Sequence, residues 1–297
     1  MLDIRIPPNK ASEFDHADVH LKSGRVFVAH TAPGTVEVLD GENKSHLKTI
    51  GGCPEGSGIW CAQDDNIVFA ASRSTGRILV IDANSLETKN DYKVGSRPNG
   101  LAWDAKRKHL LVADVSDSSA RLVEVPSGKI LKTTKLKGRP RWAAFDHQND
   151  RFLVNIRDPP EVAILSASNG EQNSSINISA KGPHGMALDE KEQRLFVACD
   201  SSELVVADSK SGKEISKIPI SGPPDVLWLN LSRNLLYCAC GEPGVIDVID
   251  TKRLSKITQT KTEKDSHTFT FDADRQRLYS FYPASCCASV FAEDGEH

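Results

Sequence analysis

The chain is poor in the features that would mark it for a membrane, for nucleic acid or for a helical fold. No stretch approaches the roughly 20 apolar residues of a membrane-spanning helix. Residues 1–12 hold no apolar core of signal-peptide length. Basic and acidic residues nearly cancel, 37 against 40, for a net charge of −3, and no basic run exceeds a few residues. That balance argues against a dedicated nucleic-acid binder. Aromatic residues make up only 6% of the chain, which leaves few to stack on the bases of a single strand. No amphipathic helix, linker or low-complexity tract is visible. The seven cysteines are an odd count, and the vicinal Cys286 and Cys287 lack a partner at zinc spacing. Cys61, Cys199 and Cys238 fall on apolar strand positions, where a free thiol behaves as a small hydrophobe. The expectation is a reduced, cytoplasmic protein; the alternative is an exported one whose leader this sequence does not carry.

What the chain does have is a repeat. Gly182-Pro183-His184-Gly185-Met186-Ala187-Leu188-Asp189, followed by Arg194-Leu195-Phe196-Val197-Ala198-Cys199-Asp200, has a close sister. It is Arg97-Pro98-Asn99-Gly100-Leu101-Ala102-Trp103-Asp104, followed by Leu110-Leu111-Val112-Ala113-Asp114. The pattern recurs seven times, and aligned copies place Asp15, Ser57, Asn99, Arg141, His184, Asp225 and His267 at one position. Their spacings are 42, 42, 42, 43, 41 and 42 residues, by subtraction of those numbers. Self-similarity at about 40–45 residues is the signature of a propeller, one four-stranded sheet per blade. Seven such units use nearly all of the 297 residues, so one domain over 1–297 is expected despite the length. The fold class is all-β, a seven-bladed β-propeller.

Each unit has one grammar: an innermost strand of small and apolar residues, a nearly all-apolar second strand, a third ending in Asp, and a polar fourth. Asp82, Asp208 and Asp250 precede turns, where an aspartate can accept backbone N–H groups. The last unit has only three strands, over 267–272, 277–282 and 288–293. Residues 2–6 alternate apolar and polar without a partner of their own, so the N-terminal strand is expected to complete the last blade and remove its open edge.

Pro-x-Gly followed by Leu-x-Val-Ala-Asp, with Val245-Ile246-Asp247-Val248-Ile249-Asp250, resembles the repeat of the YVTN-type seven-bladed propellers over essentially the whole chain. The resemblance implies the fold. It leaves function open, because one fold hosts many activities.

In a propeller the residue opening each innermost strand lies at the rim of the central channel, and the turn after the second strand lies on the same face. A second ring therefore joins the first: His30, Ser72, Asp114, Ile156, Asp200, Gly241 and Tyr282, with Arg73 and Arg157 one step on. One arc, from blade 5 round to blade 1, carries His184, Asp225, His267, Asp15 and His16. Imidazole both takes and gives protons near neutral pH. The candidate catalytic residues are His184 as base and His267 as acid, with Asp225, His16 and Tyr282. Imidazole with carboxylate also suits a divalent ion. His16, His184, His267 and Asp15 are the candidate ligands of one Mg, Mn or Zn. The opposite arc carries Arg141, Arg157, Arg73, Asn99 and Ser57, the candidate substrate-binding residues. Arginine forks grip carboxylate or phosphate; an internal salt bridge to Asp114 or Asp15 is the other reading. Outside the mouth, His20, His109 and His147 are expected at the surface. Trp60, Trp103, Trp142 and Trp228 are expected to pack between blades.

Pro183-His184-Gly185 also resembles the Pro-His-Gly motif of streptogramin B lyase, a seven-bladed propeller whose rim histidines and magnesium ion eliminate across a lactone ester. The carry-over reaches His184 and, more loosely, His267 in Ser266-His267-Thr268. The lyase histidines belong to neighbouring blades and these lie two blades apart. The lyase's Leu-Trp-Phe-Thr-Glu strand and Ile-Gly-Arg turn are absent. The reading that follows is a monomeric enzyme, lyase or hydrolase, acting on a small anionic molecule at the channel mouth. A non-catalytic ligand- or protein-binding propeller is the alternative.

Overall fold

The computed structural model describes residues 2–8 and 10–292. Among the described residues the strands form seven antiparallel sheets of four, arranged as the blades of a propeller. Blades 1 to 6 run consecutively along the chain, beginning with Phe14–His20, Arg25–His30, Thr35–Asp40 and Ser45–Ile50. Blade 7 is made of Thr268–Asp272, Arg277–Tyr282, Cys287–Ala292 and, at its outer edge, Leu2–Arg5. The N-terminal strand thus closes the last blade, as the unpartnered alternation predicts. Leu2 faces Val290 and Ile4 faces Ala288 in the ladder. Regular pairing stops one residue short of the expected 2–6, yet Ile6 N–H still donates to the Cys286 carbonyl at 3.1 Å. Of the expected strand 288–293, residue 293 lies outside the described residues.

Burial explains the grammar of each unit. A second strand is sandwiched between the two neighbouring blades, so both its faces are apolar; Leu110, Leu111, Val112 and Ala113 are all fully buried. The fourth strand is the outer edge and faces water, as in the largely exposed Thr88–Lys93. The turn aspartates do what their position suggests. Asp82 Oδ1 accepts the N–H groups of Asn84 and Ser85 at 3.0 and 2.7 Å. Asp250 does the same for Lys252 and Arg253, both at 2.8 Å, and Asp208 for Ser211 at 2.6 Å. All seven cysteines are buried thiols, none in a disulfide. No helix among the described residues is long and apolar enough to cross a membrane.

Closure is a packing event as well as a hydrogen-bonding one. Ile4 and Ile6 are buried in one cluster with Phe14, Val28, Tyr279 and Phe281, which joins the first blade to the last. Truncating a fully buried isoleucine removes its transfer energy and leaves a cavity. Ile6→Ala should lower stability by about 2–5 kcal/mol, read as a drop in the urea midpoint. An unchanged midpoint would mean that the N-terminal strand does not close the ring in solution.

Candidate functional site at the channel mouth

Each innermost strand reaches the axis through a bulge. In blade 3, Pro98 pairs with Asp114 but Leu101 pairs with Val112, so Asn99 and Gly100 are left over at the rim. The repeat's glycine follows directly from this crowding. A Cβ on Gly58, Gly100 or Gly185 would sit 2.0, 2.2 or 2.4 Å from the carbonyl oxygen of Asn99, Arg141 or Asp225. In each case that carbonyl belongs to the rim residue of the next blade. Blades 6 and 7 carry Val226 and Thr268 at this position, and blades 1 and 4 carry His16 and Trp142. Those two rings meet at 4.4 Å between centroids. Blades 1 and 4 lie on opposite sides of a seven-membered ring, so the stack spans the channel and puts a floor under the mouth.

Above that floor runs a chain of charges. Arg157 Nε lies 2.8 Å from Asp200 Oδ2, and Asp200 Oδ1 lies 2.9 Å from His184 Nδ1. His184 Nε2 lies 3.0 Å from Asp225 Oδ1, and Asp225 Oδ2 lies 3.7 Å from His267 Nε2. Asn155 of blade 4 fixes the start of this strand, donating to the carbonyls of His184 and Gly185 at 2.9 and 3.1 Å. Burial works against a charged His184, but Asp225 and the hydrogen bonds to both carboxylates outweigh it and raise its pKa to about 9. It is therefore an imidazolium at neutral pH. Burial alone would raise Asp225, yet the charge and hydrogen bond of His184 hold it far below the usual carboxylate range. His16 goes the other way: burial outweighs Asp15, 3.3 Å from its Nε2, and lowers it. His267 is the open member, with 39% of its side chain exposed. Its Nδ1 donates to the Asp265 carbonyl at 3.0 Å, which in the neutral ring leaves the lone pair on Nε2, on the side of Asp225.

The arginine arc is partly self-satisfied. Arg73 lies 2.8 Å from Asp15 and also donates to Asn99 Oδ1. Asp114 is taken by Arg121 at 3.0 Å and by the N–H groups of Ser96 and Arg97. Arg141 is left over. Its Nε is buried without a hydrogen-bond partner, and among the described residues it makes no ion pair. Burial, followed by repulsion from Arg139, lowers its pKa. Arg139 is likewise lowered, by burial and then by Arg157, Arg73 and Arg97, and has no counter-ion among the described residues. At the mouth, four described guanidinium groups and one imidazolium thus face the carboxylates of Asp15, Asp200 and Asp225. Glu242 and Asp265 add two more carboxylates at the cavity beside His184 and His267, so the positive charge is concentrated on the arginine arc.

Several expectations from the sequence give way here. Ser57 is fully buried and donates to the Pro98 carbonyl at 2.9 Å, so it ties two blades together and does not reach a ligand. Tyr282 is buried away from the mouth, hydrogen-bonded to Ser289 with Asp3 nearby, because it alternates to the blade's outer neighbours. The expected metal set of His16, His184, His267 and Asp15 is not assembled. No group of three or more His, Cys, Asp or Glu among the described residues is arranged to hold an ion. The reason is chemical: His184 commits both ring nitrogens to carboxylates and has no lone pair to give. His20 is fully buried, with Nδ1 2.8 Å from Ser23 Oγ, while His109 is half-buried and His147 exposed. Trp103 does pack between blades, on Phe69 at 5.1 Å. Trp60, Trp142 and Trp228 also pack against clusters that join neighbouring blades, Trp228 Nε1 donating to the Phe269 carbonyl at 3.1 Å, and the same three line an apolar opening of about 270 Å³ on the far side of the floor. Asp200, Asn155 and Arg139 carry more of the site than the sequence suggests; only Asp200, in the second ring, left a periodic signal.

The comparisons with known proteins agree with this architecture. No protein-family model matches the chain. It is 22% identical over 220 residues, 73% of its length, to the uncharacterized protein YncE of Salmonella typhi. The same figures hold for that of Salmonella typhimurium strain LT2. The aligned part is 51% of those proteins, so the chain spans about half the length of the curated relatives it matches. Among solved structures it is similar to Kuenenia stuttgartiensis hydrazine synthase, with a TM-score of 0.85 and 11% identity. That match covers 96% of this chain and 97% of the other, and it shows the fold alone. The chain is a β-propeller repeat protein distantly similar to YncE.

The charge chain sets a pH dependence. The His184 pKa is raised on folding, from 6.5 to about 9. Its stabilisation is therefore complete below about 6.5 and lost as pH rises through about 9. Wild-type protein should lose up to about 3 kcal/mol across that window relative to His184→Gln. The check is urea denaturation at a series of pH values; parallel profiles for the two proteins would contradict the arrangement.

Proposed function

We propose that the channel mouth is the active site of an enzyme that acts on a small anionic molecule by proton transfer, in an elimination or a hydrolysis. The observation that carries the reading is Arg141, a half-buried guanidinium whose Nε has no hydrogen-bond partner and which makes no ion pair among the described residues, set opposite the His184–Asp225–His267 arc. A buried charge without a partner is costly, and an anionic ligand bound there relieves the cost. A cavity of about 240 Å³ on the histidine arc is lined by His184, Asp225, Glu242, Asp265 and His267.

The two histidines have different roles, and the geometry supports the reverse of the roles the sequence suggests. His267 is the base, because the Nδ1 contact to the Asp265 carbonyl leaves its lone pair on Nε2. His184, held as an imidazolium between Asp200 and Asp225, is the acid. Arg141 and Arg139 bind the substrate anion, and neutralising a carboxylate beside the abstracted proton lowers the cost of the carbanion that forms. Arg73 and Asn99 frame the same wall, and Arg157 steadies Asp200. The second reading is binding without catalysis. It draws support from Arg73–Asp15 and Arg157–Asp200, which already satisfy much of the ring's charge internally.

Trp142 follows Arg141 in the chain and stacks on His16, so its fluorescence reports on the mouth. Titration with small carboxylates and their lactones should change that fluorescence, and Arg141→Met should weaken the response at least about tenfold. Turnover of the bound compound should fall roughly 10²–10⁴-fold in His267→Gln with binding retained. Binding without turnover across the panel would establish the second reading. No anion response at all would remove both.

A further inference from the structure

A second constellation lies at the seam of blades 1 and 7, built from residues that the mouth does not use. His30 ends the second strand of blade 1 and is fully buried, stacked on Phe14 at 4.5 Å. Its Nε2 lies 2.7 Å from Ser12 Oγ, and its Nδ1 lies 3.3 Å from Glu37 Oε1. Glu37 sits on the third strand of the same blade, 1% exposed. Three further groups, Thr35 Oγ1, His46 Nε2 and Thr49 Oγ1, surround its carboxylate at 2.5, 2.8 and 2.6 Å. Burial alone would raise Glu37, but the hydrogen bonds from His30, His46 and the threonines prevail and hold it near 2. It is a fixed anion. A fixed anion at Nδ1 selects the tautomer with N–H on that atom, which leaves the Nε2 lone pair for the serine hydroxyl.

Ser12 is half-buried and opens on a cleft of about 690 Å³. Ala11, Ala32, Pro283 and Ala284 give the cleft an apolar wall, and Glu13, Lys264, Asp265 and His267 line its polar side. The serine is held from behind, where its N–H donates to the Pro283 carbonyl at 2.8 Å. Cys286 Sγ approaches His30 Nε2 at 3.9 Å from the interior and donates to the Ile6 carbonyl at 3.4 Å. It is fully buried, so the serine is the nucleophile open to a ligand.

We propose that Ser12, His30 and Glu37 form a nucleophilic triad that cleaves carboxylic esters in the cleft between blades 7 and 1. Nucleophile, base and orienting acid stand in the order that serine hydrolysis needs, and such sets are recognised by geometry and not by their position in the sequence. Ser12 Oγ adds to the ester carbonyl while its proton passes to His30 Nε2. The ester C–O bond then breaks, and the alcohol leaves with that proton. A water molecule repeats the sequence on the acyl-serine: it loses a proton to His30, releases the carboxylic acid, and the proton returns to Ser12. Ser12 is the catalytic nucleophile, His30 the base, and Glu37 a positioning residue. Its nucleophile, base and orienting acid are distinct from the groups proposed to act at the mouth, although the cleft shares Asp265 and His267 with the mouth cavity.

The test uses the intact chain with an alkyl fluorophosphonate, which esterifies an activated serine and expels fluoride, and with p-nitrophenyl acetate as substrate. The expected result is one label per chain, mapped by mass spectrometry to Ser12, and ester hydrolysis that falls to the buffer rate in Ser12→Ala. Ser12 is partly exposed, so Ser12→Ala should melt with the wild type. Glu37→Gln should lower kcat at least about tenfold and leave KM within about twofold, because it misorients the base without touching the substrate. No label on the wild-type protein, a label that persists in Ser12→Ala, or an unchanged hydrolysis rate in that variant would overturn the proposal.

Discussion

The structure depends on one steric constraint: seven sheets must share a single axis. Their innermost strands therefore come so close that, at three rim positions, a side chain of even one carbon would collide with the next blade's carbonyl oxygen. Gly58, Gly100 and Gly185 meet that constraint. Hydroxyls reinforce it, with Ser57 donating to the Pro98 carbonyl and Thr268 to the Phe14 carbonyl. The Thr268 contact joins blade 7 to blade 1, the same seam that the N-terminal strand seals from outside. Four blades depart from glycine there, with His16, Trp142, Val226 and Thr268, and the contact of His16 with Trp142 across the axis converts an open channel into a cup. The crowding that builds the ring also builds the floor of the site.

Crowding has an electrostatic consequence. Side chains from every blade are forced together above the floor, partly withdrawn from water, where charges interact strongly and desolvation is costly. The outcome at each residue depends on its neighbours. His184 gains two carboxylates and stays charged, and His16 gains too little from Asp15 and is driven neutral. Two imidazoles in one cup thus reach opposite states. Arg141 feels Asp225 and Asp200 across the mouth, yet burial and Arg139 outweigh them, and its Nε is left without a hydrogen-bond partner.

The seam between blades 7 and 1 is organised differently. The mouth collects one residue from each of many blades, so its geometry depends on the whole ring. The Ser12–His30–Glu37 set is held mainly within one blade, by adjacent strands and the segment that leads into it. Its rigidity comes from a buried carboxylate with every approach filled by a donor, the kind of fully satisfied network that fixes a single arrangement. The ends of the chain meet here because the ring must close, and the closing segment is what brings Ser12 over His30.

The repeat spacing by itself determined the number of blades, the order of strands and the rim positions, since each blade is a local hairpin unit whose alternation and turn residues are written in consecutive residues. The unpartnered Leu2–Arg5 was legible for the same reason, as a missing strand in an otherwise regular count. Direction and partnership were not legible. Tyr282 shares its turn position with Asp200, yet one points to Ser289 and the other to His184. Ser57 shares its rim position with His184 and spends its hydroxyl on a carbonyl. The hold of two carboxylates on His184, the scattering of His16, His184, His267 and Asp15 among the described residues and the contact of Ser12 with His30 were decided only by the tertiary structure. Protonation and nucleophilicity are set by groups a few ångströms away, and those groups come from segments far apart along the chain.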